Sequence, residues 1–232
     1  MKVLVLIPAR YASTRFPGKP LADIAGKSMI QRVYENANQS GYESCVITDD
    51  DHIEKHLNEL GSKVSRVDDD VPSGTERIGL AYERFFQEYD LIINVQGDEP
   101  MLPPEDIKAL AQFHSTSDYD VCTLVRERTD EEGESDPNTV KVNYDQKTKE
   151  CLDFDRKAFG THPWYQHIGV YSYKPEVLKF YLNSTQSDNE KTRRLEQMRA
   201  MDKGYRYGAL VTEYESLGVD TPEDLEKVQN LF

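Results

Sequence analysis

Three cations, Arg10, Arg15 and Lys19, fall in one short stretch that also holds Pro8, Pro17, Gly18 and Pro20. Arginine forks and a lysine point charge are the usual partners of phosphate oxygens. Prolines fix backbone angles, and a glycine lets the main chain approach a ligand closely. The stretch is therefore a candidate phosphate cradle; the plain alternative is a solvated cationic loop. Its position favours the cradle, because it follows directly on the apolar run Val3 to Ile7, the pattern of a strand buried on both faces.

Other groups could complete such a site. Ser73-Gly74-Thr75 precedes a helical pattern, where free amides and hydroxyls can meet a phosphate, a ribose or a base edge, or simply cap the helix. Asp98 follows the apolar run Leu91 to Val95 with Gly97 beside it, and Asp220 lies between Gly218-Val219 and a helix start. Magnesium typically takes one or two carboxylates together with phosphate oxygens and waters, so two aspartates facing a triphosphate would suit it. Spacing does not pair them, and each could instead be a turn or cap residue. His167 and Tyr171, four residues apart on an alternating pattern, share one face of a strand, and Glu196-Gln197 stands near Arg193, Arg194 and Arg199. These side chains can read hydroxyls and a carboxylate; alternatively they are a satisfied core histidine and a surface charge run. His52, His56, His114 and His162 have no ligand spacing. The absence of Gly-x-Gly-x-x-Gly after the first strand and of Gly-x-Ser-x-Gly argues against a dinucleotide dehydrogenase and a serine hydrolase.

The elements that must position these groups alternate. The strand at Val3 to Ile7 is followed by helical spacing at Met29, Ile30, Val33, Tyr34 and Ala37, closed by Gly41. Cys45 to Thr48 is a second strand, and one of Asp49, Asp50 and Asp51 caps a helix carrying Ile53, Leu57 and Leu60. Val64 to Val67, a helix with Ile78, Ala81, Tyr82 and Phe85, and the strand Leu91 to Val95 continue the series. Such alternation predicts a parallel, doubly wound sheet with ligands at the carboxyl ends of its strands. The polar clusters 8–19, 49–51, 72–77 and 96–100 all fall at those ends. After about residue 120 the pattern changes: a strand at Val121 to Val125, a loop over 126–138, and antiparallel strands at 140–144 and 167–173. Helices are expected at 175–183, at 190–202 and from Thr221-Pro222-Glu223-Asp224, where threonine suits the cap, proline the first turn and acids the helix dipole.

Composition bounds the rest. A chain of 232 residues suits one α/β domain and can bury a core without staples. Its net charge of −14 argues against non-specific nucleic-acid binding. Three scattered cysteines, Cys45, Cys122 and Cys151, fit reduced thiols better than a disulfide framework. No stretch is apolar enough to span a membrane, and the short N-terminal run reads as a strand and not a signal peptide, so a cytoplasmic location is expected.

Taken together, the motifs resemble the 3-deoxy-manno-octulosonate (Kdo) cytidylyltransferases. The matching stretches are 7–10, 13–21, 73–77, Asn94-Val95-Gln96-Gly97-Asp98-Glu99-Pro100, 137–142, 167–171, Leu195-Glu196-Gln197-Met198-Arg199 and 218–224, in family order from one end of the chain to the other. The first block alone would suggest only a sugar nucleotidyltransferase. The resemblance implies an α/β nucleotide-diphospho-sugar transferase fold: a central, mostly parallel sheet flanked by helices, with a smaller antiparallel part for dimerisation. It implies one domain over 1–232, with a nucleotide-binding half at 1–120 and a sugar-acid and dimerisation half at 121–232. The implied reaction is CTP plus Kdo giving CMP-Kdo and pyrophosphate, with Mg²⁺, by a homodimer, for lipopolysaccharide or capsule synthesis. Arg10, Arg15 and Lys19 would hold the triphosphate, and Asp49, Ser73, Gly74, Thr75 and Arg77 would line the nucleotide pocket. Asp98 and Asp220 would bind the metal. Gln96, Arg156, His167, Tyr171, Glu196 and Gln197 would hold the sugar acid, and Lys19, Asp98, Asp220 and Arg10 would carry the chemistry.

The chain departs from the family pattern at three places. Glu76 stands where Asp is usual, Asp155 precedes Arg156 where Ser is usual, and the segment from Arg156 to His167 is short. The last two touch the sugar side, so an 8-amino analogue of Kdo or another ulosonic acid is an alternative acceptor. A nucleotide-binding regulator without catalysis is a third reading, opposed by the retention of Lys19, Asp98 and Asp220.

Overall fold

The computed structural model describes residues 1–12 and 16–232. Arg15, expected in the phosphate cradle, lies outside the described residues. The first strand, Val3–Ala9 (β1), forms where expected. Its alternate residues enter different cores: Leu4 and Leu6 pack with Ile47, Ile78 and Ile92 on one side of the sheet, Val5 and Ile7 with Ile30, Val33 and Ile93 on the other. That two-sided burial is why the run is apolar without alternation.

A 3-10 turn at Lys19–Leu21 and a small hairpin, Asp23–Ile24 (β2) with Lys27–Ser28 (β3), lead into Met29–Gln39 (α1). Then come Glu43–Thr48 (β4), Asp51–Glu59 (α2), Val64–Arg66 (β5), Gly74–Phe85 (α3), Leu91–Asn94 (β6) and Pro104–Ser115 (α4). Asp50 is the residue that caps α2: its Oδ1 accepts the N–H groups of His52 and Ile53 at 2.8 and 3.1 Å.

The second half holds Val121–Arg128 (β7), Glu131–Ser135 (α5), Lys141–Asp145 (β8), Glu150–Asp155 (β9) and Trp164–Tyr173 (β10). Pro175–Asn183 (α6), Asp188–Arg193 (α7), Gln197–Met201 (α8), Tyr207–Val211 (β11) and Pro222–Gln229 (α9) follow. Thr221 caps α9 in a reciprocal box with Asp224. Among the described residues no helix is long and apolar enough to cross a membrane.

The large sheet runs β5-β4-β1-β6-β10-β7-β11-β9-β8. β5, β4, β1 and β6 are parallel, and β10 enters antiparallel to β6. β8 also pairs back to β10 through Tyr165↔Val142 and Gln166↔Lys141, so β10, β7, β11, β9 and β8 close into a ring. The fold is thus a parallel sheet continued into a closed, mainly antiparallel ring.

Two local expectations change. The stretch 126–138 is not all loop: β7 continues to Arg128 because the long β10 pairs with it as far as Trp164↔Arg128. Asp130 then caps α5 through the Gly133 N–H at 2.8 Å. The expected helix 190–202 is two short helices, with Arg194 between them at φ 55°. The reason lies in Arg199, whose guanidinium bonds both Glu190 oxygens at 2.7 Å. In one straight helix those residues would stand about 13 Å apart along the axis, so the chain must turn to join them.

Candidate active site

The carboxyl ends of β1 and β6 approach so closely that a Cβ on Gly97 would lie 2.8 Å from the Pro8 carbonyl oxygen. Only glycine fits there, and the contact opens a cleft of about 620 Å³ above the strand ends. Pro8, Ala9, Arg10, Ala12, Lys19, Pro72, Ser73, Gly74, Gln96, Gly97, Asp98 and Asp220 line it. Arg10, Lys19, Ser73, Gly74, Gln96, Asp98 and Asp220 thus meet at one place. The proline and alanine walls carry no signal that residue chemistry could have shown.

Gly18, at φ 73°, starts the turn that aims Lys19 into this cleft. The Lys19 ammonium donates to Asp98 Oδ2 at 2.8 Å and to Asp220 Oδ1 at 3.3 Å. Two carboxylates far apart in the chain therefore converge on one small cation. The pair could hold a divalent metal ion, which would complete its shell with phosphate oxygens and waters. Among the described residues no cluster of three or more acidic, histidine or cysteine ligands offers a fuller cage. Arg10 reaches across the cleft and donates to the Val71 carbonyl.

Ser73 caps α3 by accepting the Glu76 N–H at 3.2 Å. Its hydroxyl also lies 2.8 Å from Glu196 Oε1, and Thr75 Oγ1 donates to Glu196 Oε2 at 3.1 Å. Burial pushes the Glu196 carboxyl above the ordinary range, against the pull of these two hydroxyls. The wall formed by Pro72 and Ser73 also borders a second cavity, of about 440 Å³, that contains Glu196.

Asp49 and Arg77 do not line the cleft; they pair with each other at 2.7 Å. Arg77 is 1 % exposed and also donates to the Val67 carbonyl. Burial lowers its pKa, with the Asp49 charge opposing. The pair sits beneath the Ser73-Gly74-Thr75 turn and fixes α3 against β4.

On β10, His167 and Tyr171 come together with ring centroids 5.2 Å apart. A register shift in β10 lies between Ile168 and Tyr171. His167 Nε2 is 3.0 Å from Thr123 Oγ1, and burial pushes its pKa down to about 3, so the ring is neutral. The Tyr171 hydroxyl reaches Gln197 Oε1 at 3.4 Å. Arg156 lies outside the cleft lining and donates to the carbonyls of Pro137 and Asn138 at 3.2 and 3.1 Å. Lys141, 1 % exposed, takes the neighbouring carbonyls of Asp136 and Thr139 at 2.5 and 3.0 Å, and that of Arg156 at 2.9 Å. Four successive carbonyls are thus bound by two cations, an arrangement no residue spacing announces.

Glu99 was visible only as Asp98's neighbour. It is 7 % exposed and accepts hydrogen bonds from Tyr214 Oη at 2.8 Å and Ser216 Oγ at 2.5 Å. Burial raises its pKa.

Comparison with known proteins agrees with this geometry. A cytidylyltransferase family model matches residues 4–212. A 3-deoxy-manno-octulosonate cytidylyltransferase of Parabacteroides distasonis is 42 % identical over 98 % of this chain and 96 % of its own. The protein of the same name from Cytophaga hutchinsonii is 41 % identical with the same coverage. The solved structure of CMP:2-keto-3-deoxy-manno-octonic acid synthetase complexed with CTP superposes with a TM-score of 0.93 at 37 % identity, over 100 % of this chain and 98 % of that one. A putative glucose-1-phosphate thymidylyltransferase of Bacillus anthracis, TM-score 0.70 at 16 % identity, shares the fold alone. The family model, the near full-length identities and the shared fold place this chain in the 3-deoxy-manno-octulosonate cytidylyltransferase family.

Proposed function

We propose that the cleft transfers a cytidylyl group from CTP to the anomeric hydroxyl of Kdo. The observation that carries this is the convergence of Asp98 and Asp220 on Lys19 in a cleft whose other walls are Arg10 and the Ser73-Gly74 turn. The anomeric oxygen attacks the α-phosphorus in line, a new P–O bond forms, and the bond to the β-phosphate bridging oxygen breaks. Pyrophosphate leaves, and the hydroxyl proton passes to solvent. Asp98 and Asp220 would hold Mg²⁺, which when bound would supply charge neutralisation and lower the pKa of the attacking hydroxyl.

The protein mainly positions groups and offsets charge. Lys19 leaves the two carboxylates for the triphosphate, exchanging one pair of anions for another. Arg10 and Arg15 bind the triphosphate, and Ser73, Gly74 and Thr75 hold the nucleotide, with Arg77 and Asp49 bracing them from below. Gln96, His167, Tyr171, Glu196 and Gln197 receive the sugar acid as hydroxyl readers. In this reading residues 1–120 serve the nucleotide, 121–232 serve the sugar acid and a homodimer contact, and the reaction takes place in the cytoplasm. Sedimentation of the protein at the expected dimer mass checks the assembly.

One observation favours a changed acceptor within the same chemistry. Arg156 is committed to the 137–138 carbonyls, and its neighbour Asp155 faces Arg193 at 3.7 Å. Incubation with CTP, Mg²⁺ and either Kdo, its 8-amino analogue or a nine-carbon ulosonic acid decides. Pyrophosphate release fastest with Kdo supports the first reading, fastest with another acid supports the second, and none with any acid overturns both.

A further inference from the structure

The chain between β11 and α9 carries Asp220 to the cleft without forming a helix or strand of its own. Its path is fixed from below. Thr212 Oγ1 donates to Asp106 at 2.7 Å, and the Val219 N–H donates to the Asp98 carbonyl at 3.0 Å. Between these points the strap is gripped by Glu99 through Tyr214 and Ser216, with Gly218 against the carboxylate. Among the described residues no cation pairs with that carboxylate, and its hydrogen bonds come from hydroxyls. A buried carboxylate is expensive to hold without an opposite charge. The proposed chemistry makes no use of it, since Glu99 does not line the cleft.

The placement suggests what it is for. Asp98 and Glu99 are consecutive, and their side chains leave the chain in different directions. Asp98 faces the cleft; Glu99 faces the strap that delivers Asp220. One dipeptide therefore presents the first carboxylate and fixes the distance to the second.

We infer that Glu99 is a positioning residue for the metal pair: by holding Tyr214 and Ser216 it sets Asp220 opposite Asp98. This rests on Asp98 and Asp220 being the metal-binding pair. It resembles the outer-shell hydrogen bonds that orient ligating carboxylates at metal sites, whose removal weakens metal binding by about 10–100-fold.

The test uses Mn²⁺ as probe, with the free ion counted by electron paramagnetic resonance. The full chain is saturated with a CTP analogue carrying a methylene between the α- and β-phosphorus. Glu99→Ala weakens Mn²⁺ binding by about 10–100-fold, while the KM for the sugar acid stays within twofold of the parent, roughly the scatter of such a comparison. Glu99→Gln, whose amide oxygen still accepts one hydroxyl, restores part of the affinity. Tyr214→Phe and Ser216→Ala each give a smaller loss in the same direction, and they decide the matter if Glu99→Ala does not fold. Wild-type Mn²⁺ affinity in folded Glu99→Ala, or in both hydroxyl variants, overturns the inference. Asp98→Asn separates the two levels. If it loses Mn²⁺ and Glu99→Ala does not, only the role of Glu99 falls; if it keeps Mn²⁺, the metal pair itself falls.

Discussion

The cleft and the region around α7, α8 and the ring handle charge in opposite ways. In the cleft, Lys19, Asp98 and Asp220 are partly open to solvent and neutralise one another across the gap a ligand would enter. Around α7, α8 and the ring the charges are committed to the protein itself: Arg199 to Glu76 and Glu190, Arg193 to Asp153, Lys141 and Arg156 to main-chain carbonyls. What remains there is hydroxyl, amide, neutral imidazole and a buried carboxyl. A region built of exchangeable ion pairs accepts a highly charged ligand by swapping partners. A region built of neutral, pre-paired groups discriminates by the pattern of hydroxyls it can satisfy, and mispairing there leaves buried polar groups unbonded.

Breaking the exchangeable pairs should give the largest effect. Lys19→Met lowers kcat by about 10²–10³-fold, the scale of losing a group aimed at developing charge. The same variant binds Mn²⁺ more tightly than the parent in the absence of nucleotide, because the ammonium no longer occupies the carboxylates. Arg10→Met is the control: it loses activity but leaves nucleotide-free Mn²⁺ binding unchanged, since Arg10 bonds the Val71 carbonyl and not the aspartates. Equal tightening in both variants would mean that general electrostatics, and not the Lys19 contact, sets metal affinity.

A smaller effect tests the proposed role of Glu196 in holding the sugar acid. Glu196→Gln keeps the shape but alters the pairing with Ser73 and Thr75. The KM for the sugar acid rises about tenfold, the order of one mispaired buried hydrogen bond, while the KM for CTP is unchanged. A matched rise in both KM values would move Glu196 to the nucleotide site.

The smallest effect reads the neutral interior through pH. Burial holds His167 at about 3 and His114 at about 4. Unfolded imidazoles take up protons below about pH 6.5, whereas the folded ones do not. Stability from these groups is therefore present above that pH and falls as pH drops towards the folded values. Each contributes a slope of about 1.4 kcal/mol per pH unit. Glu196 and Glu99, with raised pKa values, act the other way, because the folded state takes their protons first on acidification. His167→Gln should flatten the loss of urea stability between pH 6 and 4, and Glu196→Gln should steepen it; unchanged slopes would refute the neutral-interior account.

How much of this was legible follows the same division. The cradle could be read because Arg10 and Lys19 cluster at a strand end, and the alternating first half because its strands are apolar on both faces. Asp98 and Asp220 could be named only by motif, since topology and not spacing brings them together. The ring was half visible: β8 and β10 alternate, but β9 and β11 are short and irregular in pattern. The break at Arg194 was invisible, because its cause is a bond from Arg199 back to Glu190. The clamp on residues 136–139 was equally hidden, because carbonyl acceptors are present at every position and mark none.

The closed ring has one more consequence, for solubility. Among the described residues, the large sheet keeps a single open edge, β5, because its other end returns to β10. That edge is only Val64–Arg66, and Arg66 is surrounded there by Asp51, Glu54 and Asp68. Short, charged edges do not template pairing with another chain. A sheet of this width would ordinarily offer two long borders for aggregation; this one offers three residues, the last of them an arginine ringed by carboxylates.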